Sequence, residues 1–113
     1  MKAEYQRVLI GEIHGWTFHP PFDGLSNIDY KAEALACWVK PGNSPHQTEI
    51  LPDYLNDLDA MHEVEKLLSV EQWISYWSFL EPLVCRPNNT PIIFATATQR
   101  AEAFLKTFNF WID

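Results

Sequence analysis

The chain has 113 residues, of which 47% are hydrophobic and 14% aromatic, a composition that favours one folded domain over residues 1–113 and excludes intrinsic disorder. Its net charge of −7 opposes phosphate and no basic stripe is present, so we expect no direct nucleic-acid binding. No apolar run is long enough for a membrane span or a signal peptide, so we expect a cytoplasmic protein without a membrane partner.

The first predicted element is an amphipathic helix over residues 3–14. Apolar side chains recur there at helical spacing, and Gly15 stands where a left-handed residue would end the helix. Gly11 weakens this pattern, because glycine is a poor helix former, and it leaves a strand over residues 7–13 as the alternative.

Turn-forming residues dominate the next segment, residues 16–28, which contains Pro-Pro, Asp-Gly and Ser-Asn pairs and is predicted to be a loop. A short apolar run over residues 34–39 stops before Pro41 and predicts a strand. Residues 42–52 are predicted to be mostly loop, and within them residues 47–51 are a candidate second strand.

The second helix is predicted from residue 54 or 55 to residue 68, with Asp53 or Asn56 as its N-cap. Ser69 and Gln72 form a capping-box pattern that begins a third helix, and Pro82 is expected to end it. Apolar residues surround this helix almost completely, which predicts that it is sandwiched between other elements. These residues are Trp73, Ile74, Tyr76, Trp77, Phe79 and Leu80.

The last part of the chain combines a loop over residues 86–91 with a short buried strand over residues 91–95. Thr96 and Gln99 form a second capping-box pattern, which begins a last helix ending near residue 108. Residues 110–112 are apolar and are expected to dock on the body. This order of elements predicts an α/β (α+β) fold, in which about four helices cover a small sheet of two to three short strands, similar to an α-β-α sandwich.

Most of the negative charge lies on the second helix and its flanks. Residues 49–71 carry seven acids and one base, residues 1–48 five acids and four bases, and residues 72–113 three of each. One interpretation is a solvated helix face, and the other is an acidic platform for a basic surface on a partner. In the second interpretation the partner contacts are Asp53, Asp59 and Glu63.

A helical wheel separates the carboxylates of this helix. Asp59 and Glu63 point away from the apolar arc, Glu65 falls inside it, and Asp57 lies within the arc near its edge. An inward carboxylate must be paired, so Glu65 is expected to accept hydrogen bonds from a Trp N–H, a Tyr O–H or an arginine. A catalytic or ligand-binding role in a cleft is the alternative for these inward carboxylates. The candidate arginines are Arg7 and Arg100.

No motif typical of a nucleophilic, phosphate-binding or dinucleotide-binding enzyme is present, so we predict no enzyme and no cofactor. His62 and Glu65 share a helix face, but one such pair without a second does not predict a metal site. Cys37 and Cys85 have no motif spacing and are expected to be half-buried thiols rather than a disulfide.

Three separated segments resemble a widespread group of small phage and prophage proteins, some of which carry an α-β-α sandwich domain. The segments are RVLIGEIHGWT from Arg7, LPDYLNDLDAMHEVEKLL from Leu51, and ATATQRAEAFLKTFNFW from Ala95. The resemblance covers about two fifths of the chain, with the segments in the same order. It implies an α-β-α layering and a location in the host cytoplasm, and it supplies no catalytic residues.

Together these features make a phage accessory protein our first hypothesis, one that inhibits or modulates a host defence or nucleic-acid-handling protein through its acidic helix. The second hypothesis is a small-ligand protein that binds or sequesters a nucleotide signal by stacking its base on Trp16, Phe18 or Trp38, which otherwise pack in the core. An enzyme of unrecognised type is the third. The aromatic content is also compatible with a homodimer.

Overall fold

The computed structural model describes residues 1–20 and 27–112, without the side chains of residues 87 and 88. Its elements in chain order are α1 (Ala3–Ile13), β1 (Thr17–Phe18), α2 (Ile28–Glu33), β2 (Trp38–Val39), β3 (Thr48–Glu49), α3 (Leu58–Glu65), α4 (Val70–Asn88), a 3₁₀ helix (Ile92–Phe94) and α5 (Ala97–Thr107). The predicted α+β class with a small sheet is confirmed. The loop predicted over residues 16–28 is wrong at residues 17–18, which form β1, and its residues 21–26 lie outside the described residues.

The sheet consists of three antiparallel strands of two residues each, in the order β1-β2-β3. Phe18 pairs with Trp38, and Trp38 pairs with Glu49, so the candidate strand within residues 47–51 is confirmed. The strand predicted over residues 34–39 is wrong in its first four residues. Residues 34–37 form a turn after α2, a helix that the sequence pattern did not indicate and that Asn27 caps.

The end of α1 confirms the predicted helix and its glycine stop. Gly15 adopts a φ of 100°, and the N–H groups of Gly15 and Trp16 bond to the carbonyls of Glu12 and Gly11. These two hydrogen bonds satisfy two of the last carbonyls of the helix. Gly11 lies inside the helix with Leu51 packed directly on it, and a Cβ at this position would lie 2.6 Å from Leu51 Cδ1.

The start of α3 corrects the predicted N-cap. Asp57, and not Asp53 or Asn56, caps the helix by accepting hydrogen bonds from the backbone N–H groups of Asp59 and Ala60. The Asp53 carbonyl already accepts from the N–H groups of Asn56 and Asp57, so residues 53–57 form a separate turn before the helix. Asp57 is therefore exposed, which contradicts the inward position that the wheel gave it.

The longest helix, α4, begins at the predicted capping box but does not stop at Pro82. Ser69 N–H donates to Gln72 Oε1 at 2.8 Å, and Gln72 N–H donates to Ser69 Oγ at 3.2 Å. Pro82 removes one backbone donor, yet the helix continues to Asn88 because Leu80 and Val84 on either side are buried in the core. Asn89 ends it in the left-handed conformation.

Residues 92–94 form a 3₁₀ helix instead of the predicted buried strand. Phe94 N–H bonds to Pro91 O and Ala95 N–H to Ile92 O, so these backbone groups are satisfied locally, and the Phe94 side chain is exposed. The second capping box, between Thr96 and Gln99, is confirmed at the start of α5. Beyond α5, residues 110–112 dock only in part, since Trp111 is half-buried while its two neighbours are exposed.

Helix packing provides most of the core. Helix α4 packs most extensively against α5, which also contacts α1 and α3, while α1 contacts α2. The four largest fully buried side chains come from β2, the turn before α3, α4 and α5: Trp38, Tyr54, Tyr76 and Phe104. Cys37 and Cys85 are free and partly buried, as predicted. No helix in the described ranges is long and apolar enough to cross a membrane.

Candidate interaction surface

A buried carboxylate at the end of α3 connects three helices. Glu65 is 3% exposed and accepts hydrogen bonds from the Tyr76 hydroxyl of α4 at 2.6 Å and from Arg100 Nη1 of α5 at 3.0 Å. His62 Nδ1 donates to the other carboxylate oxygen at 2.7 Å. The prediction of an inward Glu65 paired with a tyrosine and an arginine is confirmed. Arg7 instead donates to the backbone carbonyls of Leu51 and Pro52.

This network fixes the protonation state of its tyrosine. Burial, together with the hydrogen bond to Glu65, raises the pKa of Tyr76 far above its ordinary value. Arg100 also donates from Nε to the Ala95 carbonyl at 3.1 Å, which holds the segment before α5 against the network. The polar groups between α3, α4 and α5 therefore satisfy one another and leave their charges compensated inside the molecule.

The outer side of α4 is apolar, and the described residues leave much of it exposed. Val70, Trp73, Ile74 and Trp77 follow one another at helical spacing, with exposed fractions of 79%, 38%, 68% and 47%. The adjacent side of the same helix contributes Tyr76, Leu80 and Val84 to the core. The prediction that other elements enclose this helix is therefore wrong, because α5 and its neighbours cover one side only.

A groove continues this apolar side toward the 3₁₀ helix. Trp73 and Trp77 form one wall, Ile92 and Ile93 form the other, and the volume between them is about 290 Å³. The floor consists of Tyr76, Leu80 and Arg100, so the groove lies directly above the Glu65 network. We call the five exposed side chains around it the α4 surface. They are Val70, Trp73, Ile74, Trp77 and Ile93.

The charges near the α4 surface are negative. Helix α4 carries two exposed glutamates, Glu71 and Glu81, and its one basic residue, Arg86, lies in the last turn, nine residues beyond Trp77. Arg100 lines the groove floor, but its charge is compensated by Glu65. The α4 surface is therefore apolar with negative residues beside it, and the floor of its groove carries no net charge.

The structure brings only two of the three predicted acidic contacts together, since Asp59 and Glu63 are four residues apart on α3 while Asp53 lies in the turn before it. Asp53 lines a cleft with Arg7 and accepts a hydrogen bond from Asn56 Nδ2 at 3.0 Å. Glu63 lines a different cleft and pairs with Lys66 Nζ at 2.8 Å, which lowers the pKa of Glu63. Asp59 is exposed on α3. Partner binding through these three residues stays a prediction.

The aromatic rings proposed for stacking on a nucleotide lie in the core. Trp38 is fully buried and Trp16 nearly so, and neither indole N–H has a hydrogen-bond partner within the described ranges. Phe18 is half-buried and packs against Trp38 and Tyr30, with ring centroids 5.2 Å and 5.7 Å away. The rings of Trp16 and Trp38 therefore have no open face on which a base could stack, because both faces contact the protein.

A second polar contact joins α1 to the turn before α3. Tyr54 is fully buried and its pKa is raised by burial, so its hydroxyl stays protonated and donates to His14 Nδ1 at 3.0 Å. Burial lowers the pKa of His14 and favours a neutral imidazole, while the charge of Glu63 acts in the opposite direction. His14 lines a cleft of about 430 Å³ with Glu63 and Lys40. In the described part of the chain no three ligand side chains are grouped to hold a metal ion.

The α4 surface was not predicted, although its residues are evident in the sequence. The apolar residues of α4 surround the whole helix, and this pattern is typical of both an enclosed helix and a helix with an unpartnered face. The short segment Ile92–Phe94 gave no indication either, because its apolar run predicted a strand. Only the packing of α5 distinguishes the covered side of α4 from the open one.

The comparisons with known proteins give no relative for this fold or this surface. No protein-family model, no curated protein and no solved structure matches the chain. The resemblance to small phage proteins therefore stays a prediction.

Proposed function

We propose that this protein acts by binding a partner protein through the α4 surface. The observation that carries the proposal is the row of exposed apolar side chains on one long helix, next to a groove about 290 Å³ in volume. Large apolar side chains that lie together at the surface of a small protein are typical of protein interaction sites. Tryptophan is among the residue types that contribute most to such interfaces, and two tryptophans border the groove.

The charge of the molecule defines the partner further. The chain carries −7, and the nearest exposed charges on α4 are glutamates, so a partner with a basic surface associates faster and with the correct orientation. Because three segments resemble phage proteins, we propose a host protein as that partner and its inhibition or modulation as the result. Asp59, exposed on α3, contributes to this attraction rather than to the central contact, and Glu63 contributes less because it is paired with Lys66.

The alternative of a nucleotide-binding protein has less support. It depended on Trp16, Phe18 and Trp38 as stacking rings, and the two tryptophans are buried. No specific observation favours a catalytic function either, so protein binding is the one function that we propose.

Affinity capture from the cells in which the protein is naturally made tests the proposal. Ile74→Asp changes the centre of the α4 surface, and Ile50→Asp is its matched control, because both isoleucines are 68% exposed and Ile50 lies after β3. We expect the Ile74→Asp variant to recover its partner about tenfold less, and the Ile50→Asp variant to recover it like the wild type. Equal recovery by both variants would contradict the proposal, provided that circular dichroism shows both to be folded.

A further inference from the structure

We infer that the α4 surface binds a cationic amphipathic helix, which places one large apolar side chain in the groove between α4 and the 3₁₀ helix. This inference rests on the proposed function and specifies the chemistry of the partner. Three observations support it: the length of the apolar row, the neutral floor of the groove, and the sign of the surrounding charge.

The length of the apolar row matches two turns of a helix. Val70 and Trp77 are seven residues apart on α4, which corresponds to about 10 Å along the helix axis. A partner helix laid along this row presents apolar side chains at positions i, i+3 or i+4, and i+7 over the same distance.

The floor of the groove favours an apolar side chain over a charged one. Tyr76 and Arg100 are the polar groups of the floor, and both already bond to Glu65. A charged side chain inserted there would lose its hydration and find its potential partners already bonded. The groove is about 290 Å³ in volume, which accommodates one large aliphatic or aromatic side chain between Trp73 and Ile93.

The surrounding charge selects a basic helix and disfavours a second copy of this chain. Glu71 and Glu81 are exposed on α4, and the one basic residue of the helix, Arg86, lies in its last turn beyond the apolar row. A second copy would bring the same two glutamates and another −7 to the contact, so like charges would face each other. Lysine and arginine side chains next to the apolar row of a partner helix would instead pair with both glutamates.

Designed peptides test this inference without knowledge of the natural partner. The probe is a fluorescent helical peptide of about 18 residues, with leucines along one face and lysines and arginines beside them. One comparison peptide replaces the basic residues with glutamate, and another has the same composition with the leucines spread around the helix. Fluorescence anisotropy measures the binding of each peptide to the wild type, Ile74→Asp and Ile50→Asp.

The Ile74→Asp variant separates specific docking from charge attraction. It makes the protein more negative, so attraction of a cationic peptide by charge alone strengthens, whereas docking on the α4 surface is lost. We expect about tenfold weaker binding by Ile74→Asp, a change within about twofold for Ile50→Asp, and about tenfold weaker binding of the acidic and spread peptides to the wild type. Affinity for the cationic peptide should fall between about 50 mM and about 300 mM salt.

Several results would overturn the inference. Equal binding of the spread peptide, or undiminished binding by Ile74→Asp, would show that charge alone attracts the probe. A wild-type dimer in sedimentation that Ile74→Asp abolishes would make a second copy the occupant. If capture from cells depends on Ile74 but the cationic peptide does not bind, the α4 surface still binds a partner, but that partner is not a cationic helix.

Discussion

The two sides of α4 have similar apolar composition but different surroundings. The inner side buries Tyr76, Leu80 and Val84 against α5 and the Glu65 network. The outer side exposes Val70, Ile74 and Trp77, and the 3₁₀ helix borders this side without covering it. The inner side therefore stabilises the fold, while the outer side is available to another molecule. Substitutions that separate stability from binding test this difference.

The largest loss of stability is expected when the Glu65 network on the inner side of α4 is disrupted. Glu65→Ala leaves Arg100 and Tyr76 without their shared acceptor in a buried site, which costs about 4 kcal/mol of unfolding free energy. Glu65→Gln retains the shape and one acceptor oxygen and should lose less. Urea denaturation measures both variants, and an unchanged midpoint for Glu65→Ala would show that the network does not stabilise the fold.

A pair of alanine substitutions compares the two sides directly. Leu80 is 1% exposed on the inner side, so Leu80→Ala should cost about 3 kcal/mol by leaving a cavity. Ile74→Ala removes a side chain that is mostly in solvent and should change stability by no more than about 0.5 kcal/mol. The same urea titration measures both, and a comparable loss for Ile74→Ala would mean that the outer side is covered within the protein itself.

A smaller loss of stability is expected when the N-cap of α4 is removed, because the cap stabilises the helix as a whole. Ser69→Ala removes the hydroxyl that accepts from the Gln72 N–H and should reduce stability by about 1 kcal/mol. The affinity of the folded Ser69→Ala variant for the cationic peptide should stay within about twofold of the wild type, because the cap does not belong to the α4 surface. A large loss of binding in a folded Ser69→Ala variant would show that the helix start is part of the interface.

The smallest expected effect is a pH dependence far from α4. Burial lowers the pKa of His14 below its usual 6.5, so the unfolded chain takes up a proton at this group before the folded chain does. Stability from this group is therefore complete above about pH 6.5 and falls as the pH drops below it. Since His14 is partly exposed, we expect the loss to be less than about 1 kcal/mol.

His14→Gln provides the control for this pH effect. Glutamine does not titrate and keeps an acceptor for the Tyr54 hydroxyl. Urea midpoints at pH 7.5 and pH 5.5 should therefore differ less for His14→Gln than for the wild type. An equal difference in the two proteins would assign the pH dependence to other groups.

Local signals in the sequence predicted the parts of the fold that depend on neighbouring residues. The two capping boxes, at Ser69 and Thr96, and the glycine stop at Gly15 act within one helical turn, and each occurs as predicted. The wheel also placed Glu65 correctly, because a carboxylate inside an apolar arc has to find partners wherever the chain brings them.

Other features depend on packing that a single sequence does not specify. Pro82 lies inside α4, since burial of Leu80 and Val84 outweighs the lost hydrogen bond. The apolar run at Ile92–Phe94 forms a 3₁₀ helix, and none of the described strands pairs with it. For the same reason, the sequence indicated that α4 is apolar but not which of its sides the other helices cover.

Footprinting of the captured complex tests the central proposal most directly. Photochemical carbene labelling of the free and the partner-bound protein reports which side chains become covered, and Ile50 serves as the internal reference. Our account predicts that labelling of Trp73, Ile74 and Trp77 decreases on binding while that of Ile50 is unchanged. Undiminished labelling of these three residues, with protection elsewhere on the molecule, would contradict it.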